Sequence, residues 1–167
     1  MEIRRIGQYI VLDPAVCLGA PTFRGTHITV ADVLDRVADN DKWDAIVEHH
    51  EGAITIEAIA EAVRLAGNVF TEHARVPAKD EMDAPPTVLG EHIVADPAIC
   101  HGTVTFRGTR LFVADVYGRV ANRMDWDAII ADFHGSITRD AIAEAVRLAS
   151  DAFAGHARDS VVDSAYA

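Results

Sequence analysis

The sequence predicts a mainly α chain with a little β structure: two tandem β-ribbon-plus-three-helix, helix-turn-helix-like domains related by a pseudo-two-fold. Three observations predict it. The chain matches itself without a gap at an offset of 83 residues. Within each copy, short β-branched runs come first and apolar residues at helical spacing follow. Between the copies lies a proline-rich, charged stretch with no apolar periodicity.

The repeat is too extensive for chance. Asp13-Pro14-Ala15 returns as Asp96-Pro97-Ala98, and Thr22-Phe23-Arg24-Gly25-Thr26 returns as Thr105-Phe106-Arg107-Gly108-Thr109. Trp43-Asp44-Ala45-Ile46 becomes Trp126-Asp127-Ala128-Ile129, and Ala58 to Ala66 recurs identically as Ala141 to Ala149. The expected organisation is a first repeat over 1–75, a linker over 76–88, a second repeat over 89–158 and a C-terminal tail over 159–167.

Each element has a local cause. Tyr9-Ile10-Val11-Leu12 is a β-rich run halted by the turn dipeptide Asp13-Pro14. Pro21-Thr22-Phe23-Arg24 and His27-Ile28-Thr29-Val30 flank Gly25-Thr26, which predicts a hairpin or bent ribbon. Thr29 reads as the N-cap of a helix over 30–38, with Val30, Val33, Leu34 and Val37 on one face. Asp41 is expected to cap a second short helix ending near Gly52. Thr55 opens a third helix, from Ile56 to about Val69, whose inward face carries Ile59, Val63 and Leu65. The second copy repeats the plan with Phe112 in place of the N-cap threonine. The tight link between the second and third helices is compatible with a helix-turn-helix.

Half of the 167 residues are hydrophobic, and the formal net charge is −11 with a pI of about 5.0. Domains under roughly 80 residues are marginal alone, which favours the copies packing on each other. The acidic balance argues against general affinity for nucleic acid or anionic membrane, because both require Lys and Arg to neutralise phosphate. It fits a soluble protein, or one that offers an acidic face to a basic partner. No apolar run approaches a membrane span, and Met-Glu-Ile-Arg-Arg opens the sequence without an apolar segment behind it, so the cytoplasm is the expected compartment.

The order Asp-Pro, Cys/Val-x-Gly, x-Pro-x-x-x-Gly-Thr-Arg, Val-x-x-Val/Leu, then a helix pair ending in Ala-Ile-x-x-Ala-x-x-x-Ala resembles the domain of unknown function 433 family. Both copies carry the pattern over nearly their whole length. The resemblance implies an antitoxin-like domain with a helix-turn-helix core, of which relatives usually carry one per chain. It also implies pairing with a PIN-like ribonuclease toxin. Two departures stand out: His27 replaces the arginine of the Gly-Thr-Arg hairpin, kept in the second copy as Arg110, and Val104 replaces Pro21.

The hairpins are the expected partner-binding elements: Arg24, Gly25, Thr26 and His27 in the first copy, Arg107, Gly108, Thr109 and Arg110 in the second. An exposed guanidinium there grips a carboxylate or phosphate bidentately. The competing structural reading ties Arg24 to Asp32 and Arg107 to Asp115. Arg119, Arg123 and Arg139 are the candidates for DNA contact. The third helix is acidic near its start, unlike a helix built to enter a major groove.

Cys17 and Cys100 are expected as small buried hydrophobes, too few for a disulfide framework. Trp43 and Trp126 are expected in the core or between the copies. His101 follows Cys100 without a counterpart in the first copy, and no His or Cys spacing supports a metal or cofactor. The repeated acids Asp32/Asp115, Asp44/Asp127 and Glu61/Glu144 read as solvated or capping groups. No nucleophile signature or phosphate loop is present. The family resemblance, together with the acidic charge, implies non-catalytic binding of an antitoxin type, toward a PIN-like nuclease or similar basic partner. A DNA-binding regulator and a self-associating scaffold are the alternatives.

Overall fold

The computed structural model describes residues 3–74, 85–99 and 102–165, with side chains described up to 156. The first copy opens with a three-stranded antiparallel meander, β1 (Arg4–Arg5), β2 (Ile10–Leu12) and β3 (Pro21–Phe23), in the order β1-β2-β3. Arg5 lies opposite Val11, and Val11 opposite Thr22. Alternation along the strands puts these three on one face, while Ile10 and Phe23 point into the core.

The expected hairpin is present in reduced form. Phe23 donates its N–H to the Ile28 carbonyl at 3.0 Å, and Thr22 and Thr29 form a single bridge. The return arm stops there because Thr29 is already the cap of the next helix, its hydroxyl accepting the Asp32 N–H at 3.2 Å.

That helix, α1 (Val30–Ala38), buries Val30, Val33, Leu34 and Val37. It is followed by α2 (Trp43–His49) and α3 (Ile56–Ala74). Asp41 does not cap α2: the N-cap is Lys42, which makes no side-chain bond. Asn40, at φ 61, reverses the chain and leaves the Asp41 carboxylate beside Arg36 at 3.7 Å instead. Thr55 caps α3 as expected, accepting the Ala58 N–H at 3.2 Å. The helix continues past Val69 because Gly67 and Phe70 extend its buried stripe.

The second copy repeats the order with β4 (Thr87–Val88), β5 (Ile93–Ala95), β6 (Val104–Phe106), α4 (Val113–Ala121), α5 (Trp126–Asp132) and α6 (Arg139–Ala165). Its ribbon starts within the stretch read as linker, and α6 runs through the stretch read as tail. Phe112 stands at the N-cap of α4 without a side-chain bond.

The two copies share one core. Helix α1 packs chiefly on α6 of the other copy, and α4 reciprocally on α3, each more extensively than on its own third helix. Leu34 is 1% exposed and Ile142 0%, and full burial of such a side chain stabilises by about 1.5–3 kcal/mol. Polar links recur with the pseudo-symmetry. Arg64 donates to Asn122 Oδ1 at 2.9 Å, and Arg147 to Asp39 Oδ1 at the same distance, from equivalent positions. His73 and His156 meet with ring nitrogens 3.3 Å apart. Trp126 is buried in the core and Trp43 half-buried against it, and both line a cleft with Val37 and Val120. No described helix is long and apolar enough to cross a membrane.

Candidate functional site

The β1-β2-β3 meander packs one face on the helices; on its other face Val11 and Thr22 are also buried, while Arg5 is exposed and the hairpin between β3 and α1 borders it. Gly25, at φ +80, turns that hairpin, and a Cβ there would meet nothing within 4 Å. The position needs a left-handed backbone rather than space. The Thr26 hydroxyl donates to the Phe23 carbonyl at 2.8 Å and accepts the Ile28 N–H at 3.1 Å. Thr109 does the same with Phe106 and Leu111. Both threonines are thus committed to their turns, which hold Arg24 and Arg107 outward.

Beneath the first hairpin lies a groove of about 490 Å³, bordered by Arg5, Arg24 and His27 over an apolar floor that includes Val11 and Val16. Arg5 and Arg24 are exposed, and neither takes part in any ion pair of the described residues. Asp13, the acid at the border, is occupied by the Ala15 N–H at 2.9 Å. The anticipated Arg24–Asp32 pair does not form; Asp32 sits in the first turn of α1, where its charge suits the helix dipole.

The equivalent face of the second copy differs. Val88 stands where Arg5 does, 62% exposed, and Arg110 replaces His27. Arg107 donates to the Gly90 carbonyl at 3.3 Å rather than pairing with Asp115. Below it, the Thr105 hydroxyl is buried with no hydrogen-bond partner.

The expectation for Cys17 is overturned: the thiol is exposed, donating weakly to the His27 carbonyl at 3.4 Å. Cys17 (φ 48), Leu18 (φ 57) and Gly19 (φ 82) form three consecutive left-handed residues. Such a turn points its side chains outward and leaves Leu18 98% exposed. For the two residues with a Cβ this backbone costs about 1–2 kcal/mol each. Cys100 and His101 lie outside the described residues.

The arginines nominated for DNA contact are all paired internally. Arg119 is bound to the Asp132 carboxylate and lies over the Phe133 ring at 4.8 Å. Arg123 stands 3.7 Å from Asp44 of the other copy. Arg139 meets Asp127 at 2.6 Å, a hydrogen bond that raises the guanidinium's pKa further.

The sequence reading understated Glu61 and Glu144. The Glu61 carboxylate accepts the N–H groups of Gln8 and Tyr9 at 2.5 and 2.8 Å, clamping the β1–β2 turn onto α3. Glu144 accepts the His92 N–H at 3.0 Å in the second copy. Gly7 and Gly90 make the approach feasible, since a Cβ on either would overlap the carboxylate. The recurrence of this Gly and Glu pair was the available signal. Glu91, His92 and Glu144 bring one donor atom each within 4.8 Å of one another, but the first copy has Gln8 and Tyr9 at the corresponding positions.

Charge is also distributed unequally over the helices. The pKa of Asp35 is raised by burial first and then by Asp151 and Asp32, with Arg147 opposing. Its counterpart in the second copy is Gly118, and the counterparts of Asp39 and Asp151 are Asn122 and Asn68. One side of the pseudo-dimer is therefore acidic and the other nearly neutral. At the end of α2, burial and then the neighbouring His49 and Arg36 lower the pKa of His50, whose Nε2 is buried without a partner.

A family profile described as "Protein of unknown function (DUF433)" matches residues 10–66 and again 93–149. No curated protein and no solved structure matches the chain.

Proposed function

The chain belongs to the domain of unknown function 433 family, as two tandem copies of its domain, and from that premise we propose a non-catalytic binding protein of the antitoxin type. Its partner is a PIN-like ribonuclease or a protein of similar basic character. One observation carries the reading as a binding protein: the hairpin of the first copy holds Arg24, which enters no ion pair among the described residues, above an open groove. By contrast, Arg119, Arg123 and Arg139 each stand beside a carboxylate of the chain itself. Exposed unpaired charge on a rigid turn is suited to recognition, whereas internally paired arginines offer little to phosphate.

The acidic side formed by Asp32, Asp35, Asp39 and Asp151 supports the same reading, because charge complementarity favours a basic partner. Fusing two copies supplies in one chain the arrangement that single-domain relatives would need a homodimer to build.

The test is affinity capture of the tagged chain from its native lysate, before and after nuclease treatment, with bound species identified by mass spectrometry. A stoichiometric PIN-like protein that survives the treatment is the expected result. DNA recovered without a protein would instead establish a regulator. Recovery of neither, with mass rising with concentration, would leave a self-associating scaffold.

A further inference from the structure

The groove on the first sheet has a chemistry opposite to that of the chain carrying it. The protein has a net charge of −11, yet Arg5, Arg24 and His27 border this groove against a single acid, Asp13, which accepts the Ala15 N–H. Its floor is apolar, with Val11 and Val16. The sheet face beneath it carries Arg5 of β1, Val11 of β2 and Thr22 of β3. Beside it the Cys17 thiol reaches the His27 carbonyl, which fixes the turn presenting Leu18 at 98% exposure next to the hairpin.

An extended peptide laid in a groove over a sheet face turns alternate side chains toward that face. Here those side chains would meet the guanidinium groups of Arg5 and Arg24, which suit carboxylates. We propose that the first copy's groove binds an extended acidic segment of a partner protein over the sheet face between Arg5 and Arg24, with Leu18 as the adjoining apolar anchor. The second copy does not share this specificity. Val88 stands in place of Arg5, and Arg107 is turned toward the Gly90 carbonyl. A peptide is favoured over nucleic acid because the floor is apolar and the surrounding molecule repels a polyanion at long range.

The inference rests on the protein-binding reading above but not on the identity of the toxin, and its test separates the two. A random-peptide display selection on the full chain should return binders with Asp or Glu at alternate positions. By fluorescence anisotropy these binders should weaken about tenfold on Arg24→Gln or Arg5→Gln. Leu18→Ser should weaken them as well, Arg107→Gln should leave them unchanged, and added salt should reduce affinity. All four positions are exposed, and circular dichroism checks that the fold persists. Failure to select peptides, selection of basic ones, equal loss on Arg107→Gln, or displacement by duplex DNA would each overturn the proposal. If acidic peptides bind while lysate capture returns no nuclease, the toxin assignment alone falls.

Discussion

The ring of Tyr117 in α4 lies over Gly67 in α3 of the other copy, so closely that a Cβ on Gly67 would come within 2.7 Å of Tyr117 Cδ2. At the pseudo-symmetric positions the pair is Leu34 and Ser150. A large ring thus faces a glycine on one side of the molecule, and a smaller side chain faces a serine on the other. The Tyr117 hydroxyl donates to the Ala145 carbonyl at 2.5 Å, so the ring cannot swing aside without losing that bond. Gly67→Ala should therefore destabilise the chain by about 1–3 kcal/mol, the usual cost of overpacking, despite alanine's better helix propensity. Urea unfolding measures it. Combining Gly67→Ala with Tyr117→Leu should recover part of the loss, whereas additive losses would show that the two positions are not coupled.

A second expectation concerns the clamp between the ribbon and α3. Glu61→Ala leaves the Gln8 and Tyr9 amides without their acceptor and frees the β1–β2 turn. Water can reach the exposed Gln8, which limits the cost to about 1–3 kcal/mol. Amide hydrogen exchange at Gln8 and Tyr9 should accelerate, while exchange in the buried part of α3 should follow only the global loss. Unchanged exchange at both amides would mean that the turn holds itself.

Asp35 gives a prediction whose sign depends on pH. Its pKa is raised in the folded chain, so folding favours the protonated carboxyl and the ionised form is a cost. That cost is present at neutral pH and is relieved as pH falls through the raised value toward the ordinary 3.8. Asp35→Asn should therefore raise the melting temperature near pH 7, and the advantage should vanish in acid below that ordinary value. The side chain is exposed and screened, so the gain is at most about 0.5 kcal/mol. A gain that persisted unchanged in acid would assign it to something other than charge.

Much of the fold was legible because it rests on local chemistry. The apolar spacing of Val30, Val33, Leu34 and Val37 and the caps Thr29 and Thr55 specify α1 and the start of α3 without reference to the rest of the molecule. Asp41 misled because capping preference cannot reveal that Asn40 adopts a left-handed conformation just before it. Cys17 misled for a similar reason: apolar neighbours suggest burial, but three successive positive-φ residues present the side chains outward. The Arg24 hairpin was recognisable from its residues. Its groove was not, because Arg5, Val11 and Thr22 become neighbours only through strand register. Glu61 became a clamp through a contact spanning more than fifty residues, beyond the reach of periodicity.

The exchange of helices between copies leads to the last prediction. The apolar stripe of α1 is covered mainly by α6, and that of α4 by α3, so each half lacks the larger part of the surface that covers its own first helix. Residues 1–75 and 85–167 produced separately should each show reduced helicity and associate to cover the exposed stripe, as small domains with incomplete cores do. Pairing is not equivalent among the options. Two first halves would set Leu34 against Gly67 and leave a void, while two second halves would force Tyr117 against Ser150. Mixing the halves in equal amounts should therefore yield the mixed pair in preference to either homodimer and restore the circular dichroism of the intact chain. Native mass spectrometry would give the proportions. Cooperative unfolding of either half as a monomer, or a random distribution of the three pairs, would show that each copy is self-sufficient and that the Gly67–Tyr117 fit does not select the partner.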